Sequence, residues 1–439
     1  MAAKTKLFGT DGVRGAVGDF LTPELAFALG RAAVGVCGGE AAQVLVVRDT
    51  RVSGEMLESA LCAGIAAGGG DALLAGVLPT PAAAVLVRRL GLDLAVVISA
   101  SHNPYRDNGI KFFNSDGHKL SDRLEDAIEE RVAAPDNSVG SGRVRPLSGA
   151  LDDYLRELAS QFQIDLSGTR VLLDCANGAT YRAAPLMFER LGAQVDAIAC
   201  EPDGTNINAG CGSTHPEFLI EHVARGGHDV GFAFDGDGDR VLAVDGGGAL
   251  VDGDEIIAQT ALHLNEQGEL RGGVAVTVMT NFGFHRAMRE AGIEVATTEV
   301  GDRHVVEELI SRRWTLGGEQ SGHIIDMRFT PSGDGIAAAL LLLESLRGRE
   351  LSQTRVVEKL PQRLVNVAVA NRDALAHSQA VRREVESQAA ALEGRGRVLV
   401  RPSGTEPVVR VMVEAPTAEE CEQVAERLAE AVRRELGAR

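Results

Sequence analysis

Aromatic residues are scarce in this 439-residue chain, at 4% of the sequence with a single Trp. Few side chains are therefore available to stack on the bases of single-stranded nucleic acid. The net charge of -18 points the same way, because nucleic-acid binding rests on clustered Lys and Arg that neutralise phosphates. We therefore expect no nucleic-acid partner. The acidic field would also oppose an anionic substrate, so a phosphate-binding cleft requires its own arginines and lysines.

Long apolar runs and familiar cofactor motifs are missing as well. The N-terminus is followed by a glycine-rich polar stretch and not by an apolar run of signal-peptide length, and no segment reaches the ~18 uninterrupted apolar residues of a membrane span. The six cysteines show no CxxC spacing, as is typical of buried thiols in a reducing compartment. The lack of GxxxxGK(S/T), of GxGxxG after a strand and of HExxH argues against nucleotide-driven kinases, Rossmann dehydrogenases and zincins. We predict a cytoplasmic protein without a membrane partner.

The length and the residue pattern predict several α/β domains. One hydrophobic core stops growing at roughly 250 to 300 residues, which this chain exceeds. Short β-branched runs alternate with amphipathic ones, the pattern of βαβ units around a mainly parallel sheet. A segment rich in Pro, Gly, Ser, Asn and Asp marks one boundary, and the pattern changes again after Pro361. We predict three α/β domains and a C-terminal α+β domain, with the bounds 1–150, 151–250, 251–362 and 363–439.

Three positions carry helix-start signals. Thr22 followed by Pro23 predicts a capped helix N-terminus with proline at the first helical position. Ser53 predicts an N-cap for the next helix. Thr417, with Glu420 three residues later, predicts a capping box ahead of the closing helix, whose apolar residues recur at i+4 spacing.

The sharpest chemical signal is three aspartates at alternate positions, Asp235, Asp237 and Asp239, with glycines between them. Glycine lets the backbone turn tightly, so the three carboxylates can converge on a cation, and oxygen ligands select a hard ion such as Mg²⁺ or Ca²⁺. An EF-hand loop is excluded because Arg240 stands where that loop needs glycine, and Gly246 where it needs an acid. The remaining alternative is a plain Asp-Gly hairpin turn, but three aspartates in register favour the metal site.

A second signal is Ser101, which lies in a Ser-His-Asn-Pro turn after a buried apolar strand. Open α/β sheets bind ligands beyond the carboxyl ends of their strands, where this hydroxyl would be exposed. By itself the segment is more typical of an ordinary turn that Asn-Pro initiates. No GxSxG elbow supports acyl transfer, and adjacency alone does not make His102 a base. The alternative is a phosphoserine, whose oxygen could join the metal ligands.

Two later loops could bind a substrate. Residues 401–407 place Arg401, Ser403 and Thr405 among Gly and Pro, and a guanidinium with hydroxyls and backbone amides suits a phosphate. An ordinary connecting loop would leave the arginine and hydroxyls unexplained. Residues 317–323 offer a carboxylate, an amide, a hydroxyl and an imidazole, which pair with sugar hydroxyls or an amine, and a surface turn is the alternative.

Weaker signals are cations in glycine-containing segments. Arg14 lies in the loop 8–15, Lys111 follows the serine turn, and Arg303 lies in the segment 301–304. Each alone is typical of a solvated side chain. Together they supply the local positive charge that an anionic substrate requires.

In combination, four segments resemble the α-D-phosphohexomutase superfamily, in the same order and one in each of its four domains. They are Ser101 with its turn, Asp235–Arg240, Gly318–His323 and Arg401–Thr405. The resemblance spans essentially the whole chain and implies three doubly wound, mixed-sheet α/β domains and a C-terminal α+β domain around a central cleft. Within the superfamily, the opening loop, the length and Gln320 are similar to bacterial enzymes that act on glucosamine phosphates. Mutases for glucose and mannose phosphates more usually carry Met at that place.

The resemblance implies an isomerase that interconverts glucosamine 6-phosphate and glucosamine 1-phosphate and feeds the synthesis of UDP-N-acetylglucosamine and cell-wall precursors. Ser101 would be phosphorylated and would pass its phosphoryl group to the sugar through a hexosamine 1,6-bisphosphate. One Mg²⁺ per chain would bind Ser101, Asp235, Asp237 and Asp239. Around the reacting group would lie Lys111 as first candidate for acid/base catalysis, His323 as second, and Arg14, His102 and Arg240. The implied substrate-binding residues are Glu319, Ser321, Arg401, Ser403, Gly404, Thr405, Arg410 and Arg303.

Two other functions remain open at this point. Phosphoglucomutase or phosphomannomutase activity is the alternative within the same class. A non-catalytic protein that binds a sugar phosphate or a divalent ion is the alternative from another class. The expected partner is a small sugar phosphate, and a homodimer is the candidate assembly. A tail domain that swings open and shut would let the loop at Arg401 hold either end of the intermediate.

Overall fold

The computed structural model describes residues 6–38, 41–134, 140–403 and 407–437. The described residues fall into two compact units. The large unit lies within Met1–Met279 and Ile293–Val356, and the C-terminal unit lies within Thr280–Gly292 and Val357–Arg439. The sheets of the large unit are described first.

The first sheet has six strands, which are β1 (Val13–Ala16), β2 (Gln43–Arg48), β3 (Asp71–Val77), β4 (Leu94–Ile98), β5 (Asp107–Asn114) and β6 (Val144–Pro146). Their order is β1-β5-β4-β2-β3-β6; β4, β2, β3 and β6 run parallel, and β5 is antiparallel to both β4 and β1. Its helices are α1 (Pro23–Ala33), which a π-helix extends over Val34–Gly38, α2 (Gly54–Ala67), α3 (Thr80–Arg89) and α4 (Asp122–Ala133). All five residues of β4 are buried, as expected of an apolar strand with neighbours on both sides.

The second sheet contains the aspartate loop. Its strands are β7 (Arg170–Asp174), β8 (Gln194–Ile198), β9 (Val230–Phe234), β10 (Val241–Asp245) and β11 (Leu250–Val251), in the order β11-β10-β9-β7-β8. Its helices are α5 (Ala150–Gln161), α6 (Thr180–Arg190) and α7 (Pro216–Gly226). Strands β9 and β10 pair antiparallel, and the loop 235–240 joins them.

The third sheet has the order β13-β12-β14-β15. Its strands are β12 (Val274–Thr277), β13 (Val295–Thr298), β14 (Leu316–Gly318) and β15 (Ile324–Asp326), and the helices beside it are α8 (Gly253–Gln267), α10 (Asp302–Arg312) and α11 (Gly335–Leu346). Strands β14 and β15 form an antiparallel pair whose connection is the predicted sugar loop. A short 3-10 helix follows at Leu351–Gln353.

The C-terminal unit has one antiparallel sheet in the order β16-β18-β17. Its elements are α9 (Phe282–Glu290), β16 (Gln362–Ala368), a 3-10 helix (Arg372–His377), α12 (Gln379–Ala391), β17 (Arg397–Pro402), β18 (Val408–Glu414) and α13 (Ala418–Leu436). The apolar face of α13 packs into this unit's core through residues such as Val424, Leu428 and Val432. The predicted α/β class, with mixed sheets and a C-terminal α+β part, is confirmed.

The helix-start predictions have mixed outcomes. Helix α1 begins at Pro23 as predicted, with the hydroxyl of Thr22 accepting a backbone N–H, and the hydroxyl of Thr417 caps α13 by accepting the N–H of Glu420 at 3.2 Å. Ser53 is the N-cap residue of α2 as predicted, but its side chain makes no capping hydrogen bond. Its hydroxyl instead accepts a hydrogen bond from the Asn108 side chain at 2.9 Å, because Asn108 comes within reach from β5.

All six cysteines are free thiols, and four of them are buried. Within the described ranges, the helices are all too short or too polar to cross a membrane.

Candidate active site

The three aspartates of the loop 235–240 lie together in the structure. Asp235, Asp237 and Asp239 are each at least 95% buried, and one carboxylate oxygen from each lies within 4.8 Å of the others. The loop turns sharply, and Gly238 has a φ of +72° that glycine adopts without strain. The hairpin between β9 and β10 therefore converts alternate positions in the sequence into one cluster of negative charge.

The cluster fits a hard divalent cation. Burial raises the pKa of Asp235 well above its ordinary value, and repulsion from Asp239 and Asp237 adds to this effect. One oxygen of Asp237 and one of Asp239 are buried without a hydrogen-bond partner. Buried oxygens of this kind call for an ion or water, and an all-carboxylate donor set selects Mg²⁺ or Ca²⁺ over softer metals.

Ser101 reaches this cluster from the first sheet. It follows β4, its residue is 2% exposed, and its Oγ donates to Asp235 Oδ2 at 2.6 Å. The Nδ1 atom of His102 lies 3.3 Å from the same Oγ. Burial lowers the pKa of His102, and the charges of Arg240 and Arg14 lower it further. The structure thus brings the serine turn and the aspartate loop together although 134 residues separate Ser101 from Asp235.

Lys111, on β5, lies between two carboxylates. Its Nζ is 2.8 Å from Asp237 Oδ2 and 2.9 Å from Asp11 Oδ2. Burial alone would lower the pKa of this ammonium, but Asp11 and Asp237 outweigh burial and raise it. The hydroxyl of Thr80 also donates to Asp237 at 2.7 Å. Lys111 therefore carries a positive charge next to the aspartate cluster.

Asp11 gathers three cations at the edge of the cluster. Its carboxylate pairs with Arg14, Lys111 and Lys119. Lys119 also pairs with Asp302 at 2.6 Å, which links the first sheet's loops to the start of α10. The pKa of Asp11 is held well below its usual value, because these cations outweigh the effect of burial.

His323 closes the network from the third sheet. Its Nδ1 lies 3.6 Å from Asp239 Oδ2 and its Nε2 lies 3.7 Å from Asp302 Oδ2. The N–H of Gly333 donates to Nε2 at 3.2 Å, so a neutral ring carries its proton on Nδ1, toward Asp239. Arg240 donates its backbone N–H to Asp235 Oδ1 at 3.1 Å, which fixes the turn of the aspartate loop.

The predicted sugar loop lies between β14 and β15. Glu319 is half-buried and accepts the N–H of Gly301 at 3.0 Å, while Ser321 is exposed and donates to Glu319 at 3.4 Å. The amide of Gln320 donates to Asp252 at 3.2 Å, at the N-terminus of α8. The Gln320 side chain therefore anchors the loop that presents Glu319.

Arg303 has a different environment from the other predicted substrate-binding residues. Its guanidinium pairs with Asp122 and with Glu125, the latter at 2.9 Å, and donates to the Leu120 carbonyl at 3.3 Å. It thus joins α10 to the start of α4.

In the C-terminal unit, the two arginines predicted to bind phosphate lie on neighbouring strands. Arg401 on β17 stands directly opposite Arg410 on β18, so both side chains leave the same face of the sheet. Ser403 is buried, and its backbone N–H donates to the Val408 carbonyl at 2.9 Å. The predicted Gly404 and Thr405 lie outside the described residues.

Three acidic or basic members of the network were not predicted from the sequence. Asp11, Lys119 and Asp302 pair with residues that lie far away in the chain, so no local spacing indicates them. Asp11 and Asp302 do lie in the glycine-containing segments that carry Arg14 and Arg303. In these two segments, an acid within three residues of the proposed cation was the available signal.

Comparison with known families gives four adjacent matches. They are to phosphoglucomutase/phosphomannomutase alpha/beta/alpha domain I over residues 5–138, domain II over 152–248, domain III over 252–364 and the C-terminal domain over 364–431. A phosphoglucosamine mutase of Moorella thermoacetica is 52% identical over 431 residues, which cover 95% of this chain and 97% of that one. A phosphoglucosamine mutase of Rubrobacter xylanophilus is 51% identical over 98% of both chains.

Solved structures share the fold. A phosphoglucomutase/phosphomannomutase family protein of Burkholderia thailandensis has a TM-score of 0.84 at 24% identity, covering 99% of this chain and 100% of that one. An Aspergillus fumigatus N-acetylphosphoglucosamine mutase, solved in complex with GlcNAc-6P and magnesium, has a TM-score of 0.66 at 19% identity and covers 98% and 96% of the two chains.

Proposed function

Because the chain belongs to the phosphoglucosamine mutases of the phosphoglucomutase/phosphomannomutase family, we propose that it interconverts glucosamine 6-phosphate and glucosamine 1-phosphate. The observation that carries this proposal is the hydrogen bond from Ser101 Oγ to Asp235, which places a hydroxyl against a buried cluster of three carboxylates. Neither group alone implies phosphoryl transfer. Together they put a phosphorylatable oxygen beside a divalent-cation site.

We propose that Asp235, Asp237, Asp239 and an oxygen of phosphorylated Ser101 hold one Mg²⁺ per chain. When bound, the ion would neutralise negative charge on the phosphoryl group. The three carboxylates would no longer repel one another, so a cation also stabilises the loop that carries them.

The reaction runs through Ser101 in two transfers. In the first, the bond between the phosphorus and the Ser101 oxygen breaks, and a new bond forms to the C1 oxygen of glucosamine 6-phosphate, which gives the 1,6-bisphosphate. The bisphosphate then turns around in the site. In the second transfer the phosphoryl group at C6 returns to Ser101, and glucosamine 1-phosphate leaves.

Proton transfer is assigned first to Lys111 and second to His323. In each transfer the attacking hydroxyl loses a proton and the leaving oxygen gains one, so the balance closes when the acid/base residues take up the first proton and deliver the second. Lys111, held charged by Asp11 and Asp237, is suited to supply a proton or positive charge. Arg14 forms an ion pair with the same carboxylate of Asp11 and would add positive charge near the phosphoryl group.

Substrate binding is assigned to two loops. Glu319 would accept hydrogen bonds from the sugar hydroxyls, and Ser321 would donate a hydrogen bond to them. Arg401, Ser403 and Arg410 would hold the phosphate that does not react, since two facing guanidiniums match its oxygens. The product would supply an aminosugar 1-phosphate for activation to UDP-N-acetylglucosamine in the cytoplasm, on the way to cell-wall precursors.

A coupled assay that detects glucosamine 1-phosphate tests the proposal directly. Glucosamine, glucose and mannose 6-phosphates should be compared side by side, each with a trace of its bisphosphate, and we expect the highest kcat/KM for glucosamine. The Ser101→Ala variant should lose turnover. The intact mass of the wild-type protein should show one phosphate that alkaline phosphatase removes. A clear preference for glucose or mannose phosphate would overturn the substrate assignment. Full turnover by Ser101→Ala would overturn the mechanism.

A further inference from the structure

The backbone of Ser101 has a conformation that its surroundings have to hold. Its φ of +51° lies in the left-handed region, which is uncommon for a residue other than glycine. From this backbone the side chain reaches Asp235. Whatever fixes the Ser101 backbone therefore also fixes the direction of its hydroxyl.

The turn after β2 contacts both sides of this backbone through Asp49 and Arg51. These two side chains are fully buried, and Arg51 Nε donates to Asp49 Oδ2 at 2.8 Å. The hydroxyl of Ser99 donates to Asp49 Oδ2 at 2.5 Å and accepts the N–H of Ser101 at 3.0 Å. Arg51 Nη2 donates to the carbonyl oxygen of Ser101 at 2.9 Å. One ion pair thus holds the N–H of Ser101 through Ser99 and its carbonyl directly.

The same guanidinium also holds the rest of the serine turn. Its Nη2 donates to the Asn103 carbonyl at 2.8 Å, and its Nη1 donates to the carbonyls of Pro104 and Asp107, the latter at 3.0 Å. Arg51 therefore donates to four carbonyls between the end of β4 and the start of β5. A planar fork with several donors can do this, whereas the single ammonium of lysine cannot.

A second donor comes from the segment between β8 and α7. Asn208 Nδ2 donates to the Ser101 carbonyl at 2.9 Å and lies 3.3 Å from the Asn103 carbonyl. The aspartate loop packs directly on this pair, since a Cβ on Gly236 would lie 2.6 Å from the Ser101 oxygen and 2.7 Å from Asn208 Nδ2. The contacts on the Ser101 carbonyl therefore also set where the serine turn meets the aspartate loop.

We propose that Arg51, assisted by Asn208, is a positioning residue for phosphoryl transfer. It bonds to backbone carbonyls of the serine turn and keeps the Ser101 oxygen aimed at the carboxylate cluster. The proposal rests on the proposed function, because it assigns Arg51 a role in the transfer through Ser101.

The test compares Arg51→Lys with the matched control Arg48→Lys. Arg48 lies three residues earlier, and its guanidinium pairs with Glu55 and Glu58 and donates to the Asp49 carbonyl at 3.5 Å instead of bonding to carbonyls of the serine turn. For each variant we would measure kcat and KM for glucosamine 6-phosphate, the phosphate on Ser101 by intact mass, and amide hydrogen exchange over residues 99–108. We expect Arg51→Lys to lower kcat roughly ten- to hundredfold with KM changed less than about threefold, since small misplacements of a reacting atom act mainly on the transfer step. Exchange should rise in the turn only, and Arg48→Lys should match the wild type.

Asn208→Gly provides an independent variant if Arg51→Lys does not fold. Asn208 has a φ of +56°, which glycine adopts without strain, so this change removes one donor to the Ser101 carbonyl and leaves Arg51 in place. We expect kcat to fall roughly three- to tenfold. Wild-type kcat in the folded Arg51 variant, or in Asn208→Gly, would overturn the proposal. A wild-type protein that turns over no hexosamine phosphate would instead overturn the proposed function, so the two failures are distinguishable.

Discussion

Gly178, in the turn after β7, supports the aspartate loop through a contact that leaves no room for a side chain. A Cβ on Gly178 would lie 2.4 Å from the carbonyl oxygen of Gly236 and 2.7 Å from its Cα. Normal contacts of this kind are about 3.5 Å, so Gly178→Ala forces the Gly236 peptide to move by about 1 Å. The peptide lies between Asp235 and Asp237, and both carboxylates would move with it.

The expected cost is large for catalysis and moderate for stability. A 1 Å displacement in a site of this kind costs about 10²-fold in kcat, and overpacking costs about 1–3 kcal/mol in the free energy of unfolding. Gly178 does not have a positive φ, so the alanine is not strained by its own backbone. The assay is kcat at saturating glucosamine 6-phosphate across a Mg²⁺ titration, together with thermal melting.

Gly247→Ala is the matched control. Gly247 lies in the exposed turn between β10 and β11, where an added Cβ meets only the Asp245 side chain, at 3.3 Å. We expect this variant to keep wild-type kcat. The reasoning would be refuted if Gly178→Ala also kept wild-type kcat with an unchanged Mg²⁺ dependence, because the aspartate loop would then not depend on the contact.

Three further outcomes are expected. Chelation should abolish turnover, and added Mg²⁺ should restore it. In a Mg²⁺ titration, Asp239→Asn should raise the concentration for half-maximal activity at least about tenfold. A variant whose titration matches the wild type would contradict the metal assignment. Arg410→Ala should raise KM for glucosamine 6-phosphate about ten- to hundredfold in steady-state assays, because a charge-assisted bond to phosphate contributes about 1.5–3 kcal/mol, and an unchanged KM would argue against the phosphate site. Burial raises the pKa of Asp334 from 3.8 to about 6, so the folded state binds this proton more tightly than the unfolded chain does. Its contribution to stability is therefore greatest below about pH 4 and falls by about 3 kcal/mol as the pH rises through 6. In urea unfolding between pH 4 and 7, the free energy of unfolding of Asp334→Asn should rise relative to that of the wild type as the pH rises. The same pH dependence in both proteins would contradict this.

The parts of the site that were predicted from the sequence are those that one short segment encodes. The aspartate loop is contiguous, and its glycines and flanking apolar strands indicate both a turn and a convergence of carboxylates. Ser101 was a weaker signal, because the same residues form ordinary turns. Its contact with Asp235 depends on how two sheets meet, which local spacing does not encode.

The parts that were not predicted depend on partners from distant segments. Lys119 has no local feature that distinguishes it from a solvated lysine, yet it lies between Asp11 and Asp302. Ser53 has the residue type and position of an N-cap, but its hydroxyl accepts a hydrogen bond from Asn108 on β5 instead of from the backbone of its own helix. The pairing of Arg401 with Arg410 follows from strand register, which the loop length between them did not indicate.

The ion pairs that run from Asp237 through Lys111, Asp11 and Lys119 to Asp302 have a consequence for dissecting the chain into fragments. They join residues from three sheets, and both lysines share the single carboxylate of Asp11. A piece that ended before the second sheet would keep the two ammonium groups and lose two of their three partners. The two lysines and three aspartates are thus paired only in a polypeptide that carries all three sheets. Separately expressed fragments would each expose charged groups whose partners are missing, which should lower their stability relative to the intact chain.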